Sequence, residues 1–205
     1  MNIIKILKKT ALGVTILKIL VETSARHVHL TVSDFESLFG KNVKPTIKKE
    51  LSQPGQFACV EKVDVIGDKD KIENVAILYP FRKQTQVEVS LTEARKLGTD
   101  APIRASGNLA NTPGCTLVGP SGVVKLQHGV IIAKRHIHID PKNAAKLNLK
   151  NNQIVKVSVP SSSRSLIFDD VQVCIDEEFL PAMHIDTDEA NAAGIALGTY
   201  GEILL

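Results

Sequence analysis

The chain has 205 residues, of which 43% are apolar and 23% charged, with no Trp and a net charge of +3. That length builds one large domain or two small ones around a real core, and scattered lysines without a stacking aromatic platform argue against a nucleic-acid binder. The three cysteines, Cys59, Cys115 and Cys174, lie far apart with no CxxC, which speaks for free buried thiols in a reducing compartment and against a disulfide framework.

The opening stretch MNIIKILKKTALGVTIL (1–17) has its own pattern. At 100° per residue Ile3, Ile4, Ile6, Leu7, Ala11 and Val14 gather on one face and Asn2, Lys5, Lys8 and Lys9 on the other, which predicts an amphipathic helix. The lysines interrupt the apolar run and no A-x-A site is present, so a secretory signal is excluded. No stretch reaches the roughly twenty apolar residues of a transmembrane helix. Such a helix docks on a partner, on the protein's own body or on a membrane surface.

The body reads as short strands separated by turn signals about every ten residues, the pattern of a sandwich or barrel. Strands are predicted at Lys18–Glu22, Val28–Leu30, Ala58–Ile66, Lys71–Leu78, Gln84–Val89, Thr116–Val118 and Val123–Leu126. They continue at Val130–Ala133, Ile137–Ile139, Ile154–Val159, Ser165–Phe168, Val171–Ile175 and Met183–Ile185. Breakers such as Gln53-Pro54-Gly55, Thr112-Pro113-Gly114 and Gly119-Pro120-Ser121-Gly122 fall between them. Short helices are predicted at Ser33–Phe39, Leu91–Leu97, Pro141–Leu147 and Asp186–Ala193, with Ser33-Asp34 and Asp140-Pro141 supplying cap and first-turn residues.

Two phrases repeat. ARHVHL (25–30) and KRHIHI (134–139) share Arg-His-apolar-His-apolar and use four of the six histidines, each followed by a short helix. VEVSLTEARKLG (87–98) and MHIDTDEANAAG (183–194) share a strand, a cap, a Glu-Ala helix start and a final glycine, which sets Glu88 opposite His184. The halves of the chain read as a duplication. Residues two apart on a strand point to one face, so His27 with His29, and His136 with His138, each have the spacing to grip one ion. Glu88 and His184 are the candidate third ligands. Nitrogen and carboxylate donors without cysteine suit zinc, with cobalt, nickel and iron as alternatives, and three ligands leave a coordination position open for chemistry. A lone His-x-His is usually packing or surface; two copies in one frame with matched third residues point to metal.

Arg82, six residues before Glu88, carries a guanidinium suited to an oxyanion beside a metal, or is a plain surface arginine next to Lys83. His128, in LQHGV, has no such partner and reads as a turn or surface residue. No Walker loop, GxGxxG or GxSxG is present, so glycine-loop phosphate cradling and serine-triad chemistry have no support.

With these residues in view the sequence resembles the PduL-type phosphate propanoyltransferases, or phosphotransacylases. SARHVHL, LSQPGQFA, IENVAIL, RKQTQVEVS, TPGCTLVGPSG, GVIIAKRHIHI, SRSLIFDDV and MHIDTDEANAAG carry the resemblance, which spans nearly all of the chain from about residue 20. It implies a mostly β fold of two β-barrel domains with short capping helices and the active site between the barrels. Residues 16–25 plus 134–205 would form barrel 1, residues 26–39 plus 61–133 barrel 2, and residues 40–60 a lid inserted over the site. It implies conversion of propanoyl-CoA, or a similar short acyl-CoA, and phosphate into an acyl phosphate and CoA, and the reverse. Two zinc ions per chain would be held by His27, His29 and Glu88, and by His136, His138 and His184. Arg82 would position phosphate, and Ser24, Lys49, Leu78 and Asn191 would contact CoA. Ala76 departs from the family, many of whose members carry a basic residue there.

The resemblance also implies a cytoplasmic homo-oligomer enclosed in a bacterial microcompartment, as in propanediol degradation, with residues 1–15 as an amphipathic segment recognising shell proteins or packing on its own domain. Two rival activities stay in view. A metallohydrolase would use the same histidines to activate water, and a non-catalytic zinc-stabilised barrel would hold metal with no open coordination site.

Overall fold

A computed structural model gives the fold; it describes the backbone of residues 7–9 and 15–204 and the side chains of residues 18–204. In chain order the first half contains β1 (Leu7–Lys9), β2 (Thr15–Thr23), β3 (His27–His29), α1 (Val32–Phe39), β4 (Ile47–Glu50), β5 (Phe57–Ile66) and β6 (Lys71–Tyr79). Then follow β7 (Gln86–Glu88), α2 (Leu91–Leu97), β8 (Ile103–Arg104), β9 (Cys115–Val118), β10 (Val123–Leu126) and β11 (Val130–Ala133). The rest comprises β12 (His136–Ile139), α3 (Pro141–Lys146), β13 (Ile154–Val159), β14 (Leu166–Ile175), β15 (Ala182–Ile185), α4 (Thr187–Ala193) and β16 (Tyr200–Leu204). The protein is mostly β, as the turn spacing predicted.

The chain forms two compact units. Unit 1 takes the chain up to Ser24 and from Lys134 onward, and unit 2 takes Ala25–Ala133. In unit 1 the strands run β2-β15-β12-β14-β13-β16, and β16 pairs back onto β2, so the sheet closes into a six-stranded barrel with no free edge. Alternation fills its interior with Ile137, Ile139, Val157, Val171, Val173, Met183 and Val21. In unit 2 the order is β10-β9-β5-β6-β3-β7-β11-β8, with β4 added beside β5. Among the described pairings this sheet does not close, so unit 2 is a half-barrel. Val28, Leu30, Ile77, Val87 and Leu117 face its core, where α1 adds Phe35 and Leu38.

The duplication has a structural counterpart. In each unit a His-x-His strand pairs parallel with one neighbour (β3 with β6, β12 with β14) and antiparallel with another (β3 with β7, β12 with β15). Both α2 and α4 begin with a reciprocal capping box, Ser90 with Glu93 and Asp186 with Glu189. Both end on a left-handed glycine, Gly98 and Gly194. Ser90 is buried, and its hydroxyl satisfies the Glu93 N–H. Ser90→Ala is therefore expected to cost about 1 kcal/mol, read as a lower midpoint in denaturant unfolding; an unchanged midpoint would remove the cap from the account.

Three predicted elements change. Leu7–Lys9 is a strand, not helix: its backbone pairs antiparallel with Thr15–Leu17. The remainder of the amphipathic helix prediction falls on residues outside those described. Ser165–Phe168 and Val171–Ile175 are one strand, β14, whose register against β13 shifts where Asp170 takes a left-handed φ of 55°. β4, β8 and β16 were not predicted at all.

Candidate metal centres

In unit 2 the register pairs His27 with Glu88 and His29 with Gln86 across β3 and β7. These side chains lie in adjacent rows of one sheet face. His27 Nε2 stands 3.2 Å from His29 Nε2 and 3.4 Å from a Glu88 carboxylate oxygen, and His29 Nε2 lies 3.9 Å from the other oxygen. All three residues are buried. The His27 Nδ1–H donates to the Ala25 carbonyl at 2.9 Å, which turns Nε2 toward the cluster.

Unit 1 repeats this arrangement. β12 and β15 pair His136 with His184, and the ligand atoms of His136, His138 and His184 lie within 4.8 Å of one another. The His136 Nδ1–H donates to the Lys134 carbonyl at 2.9 Å, the same contact two residues back. The predicted equivalence of Glu88 and His184 is thus a matter of register: each faces the first histidine of its phrase.

The arginine of each phrase is explained as well. Arg26 Nη1 pairs with Glu93 at 2.8 Å, and Arg135 Nε pairs with Glu189 at 2.6 Å. Each pair ties a His-x-His strand to the capping box of the helix that follows the third candidate ligand.

Electrostatics separates the two triads. Burial alone would raise the Glu88 pKa, but His27, His29 and the Ser106 hydroxyl outweigh it and hold the carboxyl well below the usual carboxylate range. Burial, then His27 and Arg82, push His29 well down. Burial, then His136 and His184, push His138 down to about 2. His138 Nδ1 is buried and has no hydrogen-bond partner among the described residues. Crowded buried imidazoles, one with an orphaned nitrogen, form a donor set that fits a zinc-like cation, since a bound dication gives those nitrogens a partner. Phe179 stacks on the His138 ring, centroids 3.9 Å apart.

Arg82 belongs to the unit 2 cluster and is no plain surface residue. Its Nη1 donates to Ser106 Oγ at 2.9 Å, and that hydroxyl donates to Glu88 at 2.9 Å. Gln86 Nε2 donates to both Glu88 and Ser106, and Gln86 Oε1 accepts from the Gly107 N–H at 2.7 Å. Ser106 Oγ therefore gives one proton and accepts two, its full capacity. Burial, partly offset by Glu88, lowers the Arg82 pKa from a value far above neutrality.

The other predicted contacts are distributed between the units. Ser24 is half-buried in unit 1 and donates its N–H to the Ile185 carbonyl at 2.8 Å, while Asn191 is exposed on α4 with its carbonyl bound by Arg164. Leu78 and Lys49 belong to unit 2. Leu78 is beside His29 in register, and Lys49 is exposed on β4. Ala76 is flanked in register by His27 and Lys62, and His128 is exposed, as predicted. Sequence reasoning missed Gln86, Ser106, Glu22 and Phe179. Gln86 was within reach, two residues before Glu88 and so on its face; for Ser106 and Phe179 nothing in the spacing gave a signal.

A family model described as phosphate propanoyltransferase matches residues 20–196. A phosphate propanoyltransferase of Thermotoga maritima is 52% identical over 180 residues, covering 88% of this chain and 86% of the relative. One from Enterococcus faecalis is 52% identical over 184 residues, covering 90% and 87%. One from Lachnoclostridium phytofermentans is 47% identical over 203 residues, covering 98% and 94%.

Proposed function

This chain belongs to the phosphate propanoyltransferase family and is an acyltransferase; we propose that it interconverts a short acyl-CoA, propanoyl-CoA or similar, and inorganic phosphate with the acyl phosphate and CoA, using two zinc ions. One ion would be held by His27, His29 and Glu88, the other by His136, His138 and His184. The observation that carries this reading is the pair of matched triads in register, each with one imidazole aimed by a backbone carbonyl.

Bound zinc supplies a Lewis acid for the thioester carbonyl and a soft partner for the departing thiolate. The chain's own residues account for the other substrate. Arg82 offers a fixed fork of donors of which one is committed to Ser106, leaving others for a phosphate oxyanion. Held there, a phosphate oxygen attacks the thioester carbon, the C–S bond breaks and CoA departs as thiolate. Phosphate is already anionic at neutral pH, so no strong general base is needed, and positioning supplies much of the rate. Ser24, Lys49, Leu78 and Asn191 are the proposed CoA contacts. Residues 40–60, which include the wholly exposed β4, are the proposed lid.

No helix among the described residues is long and apolar enough to cross a membrane. Cytoplasmic homo-oligomers inside a microcompartment remain the proposed setting, yet the pairing of Leu7–Lys9 with β2 supports docking of that part of the leader on its own unit.

Purified protein given propanoyl-CoA with and without phosphate tests the reaction, with thiol release and zinc content measured together. Phosphate-dependent release that a chelator abolishes is the expected result. Release that ignores phosphate would replace the transferase with a hydrolase.

A further inference from the structure

We propose that Glu22 is the carboxylate of the unit 1 metal centre, a positioning residue that holds His184 in place for the ion. This rests on the two-ion reading above and extends it to a residue outside both triads.

The argument starts from alternation on β2. Val21 is buried in the barrel core, so its neighbour Glu22 points to the opposite face, the face that carries His136, His138 and His184. β2 pairs parallel with β15, and the register sets Glu22 directly beside His184, which in turn faces His136. One row across three strands therefore reads Glu22, His184, His136. The His184 Nε2–H donates to Glu22 Oε2 at 3.1 Å. An imidazole that gives its Nε2 proton to a carboxylate keeps a lone pair on Nδ1, and a carboxylate behind the ring raises the basicity of that lone pair toward a metal.

The equivalent row in unit 2 supplies an independent argument. There β11 stands where β2 stands in unit 1, and the row reads Ile131, Glu88, His27. Unit 2 thus carries its carboxylate in the third-ligand position, with an apolar residue behind it. Unit 1 carries an imidazole in that position and the carboxylate one strand further out. Each row thus holds a single carboxylate. Without Glu22, that row of unit 1 would present imidazoles and no carboxylate.

The test measures zinc retention, not turnover. Full-length protein loaded with two zinc ions is dialysed against graded chelator and the remaining zinc is counted. Glu22→Ala is expected to release one of the two ions at roughly 10- to 100-fold lower chelator strength than wild type, with Glu22→Gln, which keeps an acceptor but no charge, in between. Glu202→Ala removes the same charge from β16, where Glu202 faces Lys18 at 4.0 Å, and is expected to retain both ions like wild type. In a His27→Ala background that has lost the unit 2 ion, Glu22→Ala should release the remaining ion at lower chelator strength. The metal-free forms of wild type and Glu22→Ala should melt together. Equal zinc retention in Glu22→Ala and wild type would overturn the proposal, and so would a metal-free Glu22→Ala that melts well below metal-free wild type. Wild type that binds no zinc, or binds as much after His136→Ala, would instead overturn the two-ion reading itself.

Discussion

Arg82→Ala is expected to lower phosphate-dependent thiol release by about 10²–10³-fold, the range for losing one preorganised oxyanion donor, while both zinc ions stay bound. The second half of that expectation comes from the network around Glu88. Arg82 is hydrogen-bonded to the carboxylate's network through Ser106, and Ser106 keeps its bond to Glu88 and its bond from Gln86 when the guanidinium is gone. Gln86 also donates to Glu88 directly. The carboxylate therefore remains held. The loss should fall on the use of phosphate, and Arg82→Lys should recover only part of it, because an ammonium restores charge but not the planar fork. Steady-state kinetics with phosphate varied, alongside zinc content by elemental analysis, checks both halves. Near-normal turnover would remove Arg82 from the reaction, and zinc loss would make it a support for the metal centre.

His138→Ala has a different expected signature: zinc falls from two ions per chain to one, and acyl transfer falls with it by more than about 100-fold, beyond the range for losing only an outer partner of a metal site. Stability separates this from simple unfolding. His138 Nδ1 is buried without a hydrogen-bond partner among the described residues, so its removal from the metal-free protein relieves one cost while losing the stacking contact with Phe179. The metal-free variant should melt within a few degrees of metal-free wild type. The zinc-loaded comparison should open a gap, because the variant forfeits the stabilisation that comes from binding the second ion. Two ions retained in His138→Ala would dismiss that histidine as a ligand.

The two candidate triads were legible because strand alternation is local: His27 and His29 share a face whatever the sheet does around them. Pairing the third residues needed more, and the shared capping box and glycine after Glu88 and His184 provided it. Other parts of the site come from chain reversals that leave no periodic trace. Ser106 joins the unit 2 network from a loop 18 residues beyond Glu88, and spacing gives no reason to prefer it over neighbouring polar residues. β4 was missed because all four of its residues are exposed, which erases the alternation by which half-buried strands are recognised. β16, TYGEIL with its preceding residue, was missed because Gly201 interrupts the β-branched pattern; the barrel accepts that glycine where a Cβ would meet Val157 at 2.6 Å. β14 was divided in two because Asp169-Asp170 interrupts its apolar alternation, whereas the ladder absorbs the pair as a shift of register.

The arrangement of unit 1 also bears on how the protein is made. Its second strand leaves the ribosome early, but the partners that β2 needs, β15 and β16, come from the last part of the chain, and the Glu22–His184 contact spans 162 positions. Unit 2 is contiguous and can collapse while synthesis continues; the barrel cannot close until the strands β15 and β16 have been made. During that interval β2 has only β1 to pair with. A rearranged chain in which residues 134–205 precede residues 1–24 would make unit 1 contiguous and shorten its longest loop closures, which is expected to speed its folding.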